Sequence, residues 1–435
     1  METSAAPAIA IGSSPGFTPR LLSGHTGQGR EDLAAYRQLG GYQPLAGADQ
    51  LVAEVESSGL LGRGGAGFPL SVKIRAVRDN GLAAGGAVVV ANGEEGEPAS
   101  IKDRWLLRHR PHLILDGLRL AAAMVGAGRT YVYVSDPESA RSVEAALAEL
   151  GAKVFDGVAV EVWSVEPGYV AGEETAAVRA LNGGPVKPSD KPPRPFQEGV
   201  SGLPTLVSNV ETLASLPYLQ CHGSAEFRSL GTSQSPGSFL VTVTGAGRAP
   251  GLYEIPHGLP FPELLALHGV SPDQVQGVLM GGYFAGLLDR GVLDATLDHE
   301  TLRGLGSGLG NGAIAVITDE CPLAVAASVL AYFDRENAGQ CGSCFNGTAA
   351  MAAVAGALRD GAATEEDLAR LRRWSVVLRG RGACATLDAA TNVAASLLAK
   401  FPDFVQSHLD NGCQTCRLGA FTAERPYQVE AVSQV

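Results

Sequence analysis

The sequence predicts an α/β fold: a domain on a mainly parallel sheet, then a small mixed α+β domain, then a helical bundle. Alternating strand-like and helix-like segments predict the first domain. The strand-like runs are 87–92, 130–135 and 160–166, and the helical patterns are 111–125 and 139–150. A hairpin signal around a Gly/Pro turn at 238–255 opens the mixed domain.

The last part of the chain is alanine-rich and predicts four helices, which suit a small bundle. Their ranges are 322–336, 346–358, 364–377 and 387–400. The Gly/Ser/Pro-rich residues 1–30 predict a loose arm, and residues 183–207 predict a long ordered loop of a kind that is often functional. The predicted units are an N-terminal arm (1–40), the α/β domain (41–236), the mixed domain (237–321), the helical domain (322–410) and a tail (411–435).

Composition excludes several classes of protein. The chain has 435 residues, 45% of them apolar, which is enough for a real core. Its net charge of −12 argues against nucleic acid or an anionic membrane surface as the main partner. The N-terminus shows no signal peptide, and no run reaches about 18 apolar residues, so we expect a cytoplasmic protein without a direct membrane span.

A glycine-rich segment at 62–67 matches the pattern G-x-G-x-x-G. Glycines let a backbone approach a phosphate and point its N–H groups at it. Residues 51–61 look helical, whereas a standard dinucleotide fingerprint follows a strand, so a flexible surface turn is the alternative. Lys73, a turn or so downstream, could add a cation for a phosphate or for the edge of a flavin.

Two acidic loops follow predicted strands, where ligands sit in α/β proteins. The first carries Asn92, Glu94, Glu95 and Glu97, and the second carries Glu173 and Glu174 after Tyr169. Carboxylates there could accept hydrogen bonds from ribityl or ribose hydroxyls. The alternative is a pair of exposed turns.

Seven cysteines are too few for a disulfide scaffold, and five of them lie in the last 95 residues. Cys341-x-x-Cys344, Cys384 and Cys413-x-x-Cys416 favour zinc or an iron–sulfur cluster over disulfides. The spacing suits a structural zinc site poorly. Cys221 and Cys321 have apolar neighbours and are expected to be core thiols.

Several motifs in register resemble one family, the flavoprotein NADH-binding subunit of respiratory complex I. Related hydrogenases and formate dehydrogenases carry the same diaphorase subunit. The motifs span about residues 40–410: GLLGRGGAGFP (59–69), ANGEEGEPASIKDRWLL (91–107), GYVAGEETA (168–176), KPPRPFQEGVSGLPTLVSNVETL (191–213) and the cysteine set. The resemblance implies an FMN-binding domain that could also bind NADH, a ubiquitin-like SLBB domain and a helical [4Fe–4S] domain.

The resemblance also implies cofactor-binding residues, position by position. The flavin and nucleotide set is Gly62, Arg63, Gly64, Gly65, Gly67, Phe68, Lys73, Asn92, Glu94, Glu95, Glu97, Tyr169, Gly172, Glu173, Glu174, Lys191, Ser208, Asn209 and Thr212. Within it, Phe68 and Lys191 match an adenine-stacking and a ribose- or phosphate-contacting position. Glu97 and Glu174 match acidic residues near the nicotinamide. No side chain is assigned as an acid or base.

Some positions depart from the family pattern. Ala76 and Arg194 stand where the family has aromatic rings that stack on adenine, and Asn311 stands where it tends to have Thr. Arg can stack on an adenine face, and it could favour the 2′-phosphate of NADPH. The nucleotide half of the resemblance is therefore weaker than the flavin half.

The cluster motif departs as well. The resemblance implies Cys341, Cys344 and Cys384 as iron ligands, but Ala338 stands where the family has a fourth cysteine. A three-cysteine [4Fe–4S] cluster, a [3Fe–4S] cluster and no cluster are all open. Cys413 or Cys416 could supply the missing ligand. Alternatively, His408, Cys413 and Cys416 could form a separate site, for example for zinc, with one further ligand.

The resemblance implies an NAD(P)H dehydrogenase that passes electrons through FMN to an iron–sulfur cluster and a partner. One alternative is an electron relay that does not use NAD(P)H and serves a ferredoxin or a membrane reductase. Another is a cofactor-poor structural subunit. The expected partners are other subunits of an electron-transfer complex, one of them ferredoxin-like, through which the chain could attach to a membrane complex.

Overall fold

A computed structural model describes residues 9–24, 29–151, 154–155, 157–410 and 412–430. The N-terminal part contains one strand and three helices: β1 (Ala10–Ser13), α1 (Leu33–Gln38), α2 (Ala48–Ser58) and α3 (Leu70–Ala84). The helical prediction before the glycine-rich segment is confirmed, because α2 ends just ahead of it at a left-handed Gly59. Within the described residues, no helix is both long and apolar enough to cross a bilayer.

The loose N-terminal arm is a wrong prediction for residues 9–24. β1 pairs in parallel with a strand at Gly251–Pro256. The buried carboxylate of Glu254 then accepts hydrogen bonds from the backbone N–H groups of Arg20, Leu21 and Leu22 at 2.8–2.9 Å. This segment is fixed by long-range partners that its own composition does not reveal.

The α/β domain is organised around four parallel strands. Its elements are β2 (Ala87–Asn92), α4 (Lys102–His109), α5 (Pro111–Val125), β3 (Ala127–Val134), α6 (Pro137–Leu150), β4 (Ala159–Ser164), α7 (Glu174–Leu181), β5 (Thr205–Asn209), α8 (Val210–Ala214) and α9 (Leu216–Phe227). The predicted strand and helix alternation is confirmed. Most side chains of β2 are buried, which explains its continuous apolar run.

The strand order of this sheet creates a switch point. The order is β4-β3-β2-β5, so the chain first builds outward from β2 and then returns to pair β5 on its other side. Asn92 and Asn209, the last residues of β2 and β5, are paired in register. Ligands of open α/β sheets bind at such a reversal, beyond the carboxyl ends of the strands. β5 lies within the segment predicted as a loop, of which 183–204 is irregular apart from one short 3₁₀ turn.

The mixed domain contains β6 (Ser238–Gly245), β7 (Gly251–Pro256), β8 (Leu259–Pro260), α10 (Phe261–His268), β9 (Gly277–Met280), β10 (Leu287–Asp289), β11 (Thr296–Leu297), α11 (His299–Gly304) and β12 (Ala313–Ile317). The predicted hairpin is confirmed, since β6 and β7 pair antiparallel. The main sheet has the order β1-β7-β6-β12-β9-β10, with both parallel and antiparallel neighbours.

The C-terminal part is helical, as predicted, with two helices beyond the four expected. The helices are α12 (Pro322–Glu336), α13 (Gly342–Arg359), α14 (Glu365–Val377), α15 (Thr386–Lys400), α16 (Pro402–Asp410) and α17 (Gln414–Gly419). Leucine, valine and alanine side chains of α12, α13 and α15 form one buried core with the facing side of the mixed domain.

Candidate functional site

The glycine-rich segment is a tight turn between α2 and α3. The N–H of Gly62 donates to the carbonyl of Phe68 at 2.9 Å, which closes the turn. Gly65 and Gly67 have φ of 113° and 60°, values that favour glycine. A Cβ on Gly64 would lie 3.4 Å from Cβ of Asn209. The turn therefore lies against the carboxyl end of β5, at the switch point.

This turn offers free backbone donors. In the described part of the chain, the N–H groups of Gly64, Gly65 and Gly67 donate to no other group. The turn also precedes the amino terminus of the 15-residue helix α3. Unpaired N–H groups in a glycine-rich turn before a helix suit an anionic group such as a phosphate. The residues present therefore fit the phosphate of a flavin nucleotide.

Arg63 has a different position from the one expected of a cofactor ligand. Its side chain is buried, its Nε donates to Glu211 Oε1 at 3.1 Å, and its guanidinium lies 4.8 Å from the ring centroid of Phe239. Its backbone N–H donates to Thr212 Oγ1 at 2.8 Å. Arg63 thus ties the turn to α8 and the mixed domain.

Sequence reasoning missed a buried ionic network under the strand ends. Lys102 Nζ lies 2.6 Å from Asp103 Oδ1 and 3.0 Å from Glu211 Oε2. Asn209 joins it, because its Nδ2 donates to Asp103 Oδ2 at 2.7 Å and its Oδ1 accepts from Lys102 at 3.3 Å. The motif containing Lys102 and Asp103 is visible in the sequence, but their pairing with Glu211 is not.

The other strand-end residues are held by contacts within the protein at the same edge of the sheet. Asn92 Nδ2 donates to the carbonyl of Gly172 at 2.8 Å and so joins β2 to the second acidic loop. Ser208 and Thr212 are buried beside Asn209. Both the Nδ2 and the Oδ1 atoms of Asn209 already bind protein groups, so this side chain has a supporting role at the site.

The first acidic loop is largely buried. Glu94 Oε1 accepts from Ser135 Oγ at 3.3 Å, while its Oε2 is buried and has no partner among the described residues. Burial raises the pKa of Glu94 to about 8 and that of Glu97 to about 8. Arg104 donates to Glu95 from its backbone N–H at 3.0 Å and from its Nε at 3.4 Å.

The second acidic loop carries a half-buried cluster of charges. Lys73 Nζ donates to Glu174 Oε2 and to the carbonyl of Val207, both at 3.3 Å. Lys191 Nζ lies 2.6 Å from Glu173 Oε1 and 3.5 Å from Glu174 Oε1. Although burial opposes it, the two lysines lower the pKa of Glu174.

Glu173 has a second contact, because it also caps α7 by accepting from the N–H of Thr175 at 2.8 Å. Glycine keeps this second loop close to the first one. A Cβ on Gly172 would lie 2.6 Å from Glu94 Oε2. The two acidic loops therefore meet, as their positions after strands predict.

The aromatic positions are divided between core and surface. Phe68 is 46% exposed and so is available to a planar ligand. Arg194 is exposed, and Phe196 is half-buried against the core. Ala76 is on α3 and presents no ring. Asn311 Oδ1 accepts from the N–H of Ala313 at 3.0 Å.

Three cysteines line a small cavity at the edge of the helical domain. It is lined by Cys341, Cys344 and Cys384 together with Pro188, Ala338, Gly339, Gln340, Gly382 and Ala383. Cys341 Sγ accepts from the N–H of Ala383 at 3.4 Å. These thiols fit an iron–sulfur cluster with three cysteine ligands, and Ala338 lies at the same cavity without a donor atom.

The cysteine cavity adjoins the acidic loops. Tyr169 packs on Phe333, with ring centroids 5.2 Å apart, and lines a cleft that also contains Glu95 and Glu97. Burial, followed by the charges of Glu97, Tyr332 and Cys384, raises the pKa of Tyr169. Gln340, which lines the cysteine cavity, also contacts the long loop after α7, since its Nε2 donates to the carbonyl of Pro188 at 2.8 Å.

Of the two predicted core thiols, one is wrong and one is confirmed. Cys221 is exposed on α9 and is not a core thiol. Cys321 is buried in the apolar core, as predicted, and it also lies beside His408 and the tail cysteines Cys413 and Cys416. This grouping involves neither Ala338 nor the three cysteines of the cavity.

Comparisons with known proteins agree with this arrangement of a flavin-type switch point beside a cysteine cavity. Residues 55–218 match the family model described as the Nuo51 FMN-binding domain. Residues 324–408 match the one described as the NADH-ubiquinone oxidoreductase-F iron-sulfur binding region.

Whole-chain relatives extend the match. The NADH-quinone oxidoreductase F-subunit 2 of Rhizobium meliloti (strain 1021) is 33% identical over 415 residues, which cover 91% of this chain and 98% of the relative. The NADP-reducing hydrogenase subunit HndC of Solidesulfovibrio fructosivorans is 30% identical, with 92% and 85% covered. A crystal structure of an NAD⁺-reducing [NiFe]-hydrogenase in the air-oxidized state aligns with a TM-score of 0.81 at 30% identity, covering 92% of this chain and 68% of that one.

The fold and the site define an electron-transfer oxidoreductase subunit with an FMN-binding domain and a 4Fe–4S binding region. The chain belongs to the F-subunit family of the NADH-quinone oxidoreductases. The resemblance found from sequence motifs is thereby confirmed, and so are its two cofactors.

Proposed function

We propose that this chain oxidises NADH at an FMN held at the switch point and delivers the electrons to a cluster held by Cys341, Cys344 and Cys384. When bound, FMN supplies the chemistry, because it accepts a hydride and releases electrons one at a time. The observation that carries the proposal is the position of Tyr169. Its ring lines the cleft that contains Glu95 and Glu97, and it packs against the same apolar core as Cys344, so it connects the flavin-side loops to the helices that carry the cysteines.

The glycine turn and the strand ends would hold FMN. Unpaired N–H groups of Gly64, Gly65 and Gly67 suit its phosphate. Lys73 is near enough to Glu174 to form an ion pair at 3.3 Å, and it can exchange that partner for a ligand anion. Glu94 Oε2, which has no partner among the described residues, can hydrogen-bond a hydroxyl of the ribityl chain.

The nicotinamide side would be formed by the second acidic loop and the exposed ring of Phe68. Glu174 and Lys191 lie at one edge of it, 3.5 Å apart. Glu97 is held in place by the N–H of Tyr283 at 2.9 Å. Arg194 can take the stacking position against adenine that an aromatic ring has in the family.

The chain would work as part of a larger assembly on the cytoplasmic side. The relatives are themselves subunits, as their names state. We propose other subunits of an electron-transfer complex as partners, including a ferredoxin-like protein that accepts electrons from the cluster. In this account the attachment to any membrane complex is through those partners.

Reconstitution with FMN tests the proposal directly. The FMN-free protein should take up one FMN per chain and quench its fluorescence, and iron and acid-labile sulfide should be present in the same sample. A folded protein that takes up no FMN after reconstitution would contradict the proposal. Flavin uptake with no iron would contradict only the proposal that Cys341, Cys344 and Cys384 hold a cluster.

A further inference from the structure

A second group of metal-binding side chains lies at the start of the helical domain, away from the three-cysteine cavity. It consists of Cys321, His408, Cys413 and Cys416, whose ligand atoms all lie within 4.8 Å of one another. Cys321 Sγ is 3.4 Å from His408 Nε2. Cys321 and His408 are each 2% exposed, whereas the other two are half-buried.

Each ligand is fixed by a different turn of the chain. Cys321 is the residue that precedes α12, and His408 is in the last turn of α16. Cys413 precedes α17, and its Sγ accepts from the N–H of Cys416 at 3.3 Å. A C-x-x-C turn with an N–H···S hydrogen bond presents both thiolates to one point, which is the arrangement of a zinc knuckle.

The distances select a single ion over a cluster. In a tetrahedral zinc site with Zn–S and Zn–N bonds of about 2.3 and 2.0 Å, ligand atoms lie roughly 3.5–3.8 Å apart. Cys321 Sγ and His408 Nε2 are close to that separation. An iron–sulfur cube needs thiolates spread around several metal atoms, and the 4.8 Å limit on this group is too small for it.

We propose that Cys321, His408, Cys413 and Cys416 bind one Zn²⁺ in a tetrahedral Cys₃His site. Three soft thiolates and one imidazole with no open position favour zinc over oxygen-seeking cations. The site is structural, because all four ligands come from the protein and no place is left for a substrate. It also explains why Cys413 and Cys416 are not ligands of the cluster.

The zinc would anchor the C-terminal tail against the flavin-side cleft. After Cys416 the chain runs along α12, where the Ser328 hydroxyl donates to the carbonyl of Phe421 at 3.3 Å. Further on, Val429 donates its N–H to the carbonyl of Pro98 at 3.0 Å, and Glu430 lies 2.9 Å from Arg108. The tail thereby becomes one wall of the cleft that Glu95 and Glu97 line.

Metal analysis of the full-length protein tests the site. One zinc per chain is expected, and exchange for Co²⁺ should give the thiolate charge-transfer and intense ligand-field bands of a tetrahedral site. Cys416→Ser should lower zinc to well below half per chain, and Cys221→Ser, an exposed cysteine on α9, should not. Iron content should be the same in both variants.

Hydrogen exchange tests the anchoring role in the same samples. Amides of 421–430 should exchange at least tenfold faster in Cys416→Ser than in Cys221→Ser. Folded wild-type protein without zinc, a disulfide among the three thiols in its place, or weak octahedral Co²⁺ bands would overturn the proposal. So would iron and sulfide that fall together with the zinc in Cys416→Ser. Loss of FMN binding alone would contradict the proposed function and leave the zinc site standing.

Discussion

At the residue scale, the main feature of the site is a pair of buried carboxyl groups whose pKa values lie near neutral pH. Glu94 and Glu97 both have a pKa raised to about 8 by burial, against an ordinary value of 4.5. A raised carboxyl pKa means that the folded state holds the proton more tightly than the unfolded state does. The stability this gives is fully present below pH 4.5 and is lost as the pH rises towards 8.

Replacing Glu94 with Gln should flatten this pH dependence. Between pH 5 and pH 8, the free energy of unfolding of the FMN-free protein should fall by about 1–3 kcal/mol less in Glu94→Gln than in wild type. Glu97 is still present in this variant, so its own contribution to the fall in the free energy of unfolding should remain. Denaturant unfolding at both pH values measures the difference, with the exposed Glu161→Gln as control. An unchanged slope in Glu94→Gln would contradict the buried-acid account.

Lys73 should matter for flavin affinity. Lys73→Met removes the half-exposed cation beside Glu174 and should weaken FMN binding about tenfold, or about 1.4 kcal/mol. Lys187→Met, at an exposed loop position, is the matched control. Fluorescence titration with FMN measures both. Equal affinities for the two variants would remove Lys73 from the site.

Residue roles were the hardest part to predict from sequence. Arg63 is in the glycine motif, yet its side chain turns to Glu211, which is 148 positions away. Cys321 reads as a core thiol because its sequence neighbours are apolar, and the fold brings His408 to it across 87 positions. The local sequence pattern shows which residues belong to a ligand-binding loop. Packing against residues that are distant in the sequence decides where each side chain points.

At the scale of elements, the glycine turn makes the sharpest prediction. Gly64 has an ordinary φ, and a Cβ added there would be in ordinary van der Waals contact with Cβ of Asn209 at 3.4 Å. Gly64→Val should therefore leave the fold nearly intact but fill the space between the turn and β5. FMN uptake should be lost, while the thermal midpoint should change by only a few degrees.

The matched control is Gly128→Val, at an exposed position near the start of β3 with no atom within 4 Å of the added Cβ. It should keep full FMN uptake. If Gly64→Val still binds FMN as wild type does, the flavin is not at the switch point.

The cluster cavity offers a gain-of-ligand test. Ala338 lines the cavity with the three cysteines, so Ala338→Cys should supply a fourth thiolate. The expected result is a higher content of iron and sulfide per chain and slower loss of the cluster in air. Ala362→Cys, at an exposed position, controls for an added thiol. Iron content and stability equal to the control would show that position 338 does not reach the cluster.

Helices and strands were predictable where the periodicity of apolar residues is strong within the segment itself. The strands at 87–92 and 160–166 and the bundle helices follow directly from apolar periodicity. β1 and β5 escaped prediction, because one is a short edge strand in a Gly/Ser/Pro-rich segment and the other ends a proline-rich loop. Their partners, at Gly251–Pro256 and Ala87–Asn92, are far away in sequence.

At the scale of the whole molecule, the proposed path for electrons involves three parts of the chain. The parallel sheet provides the switch point, the mixed domain holds Glu97 through Tyr283, and the helical domain carries the three-cysteine cavity. Motifs taken in register predicted this combination of parts, because each part keeps its own local signature. The packing of Tyr169 on Phe333 of the helical domain, which connects two of these parts, cannot be read from the local motifs.

The most direct test of the central claim is an anaerobic absorption and EPR spectrum of the FMN-loaded protein before and after NADH. NADH should bleach the visible flavin band, and an EPR signal of a reduced iron–sulfur cluster should appear with it. NADPH, tested in parallel, shows whether Arg194 extends the specificity. A flavin band that neither NADH nor NADPH bleaches, in a sample that dithionite does bleach, would contradict the account.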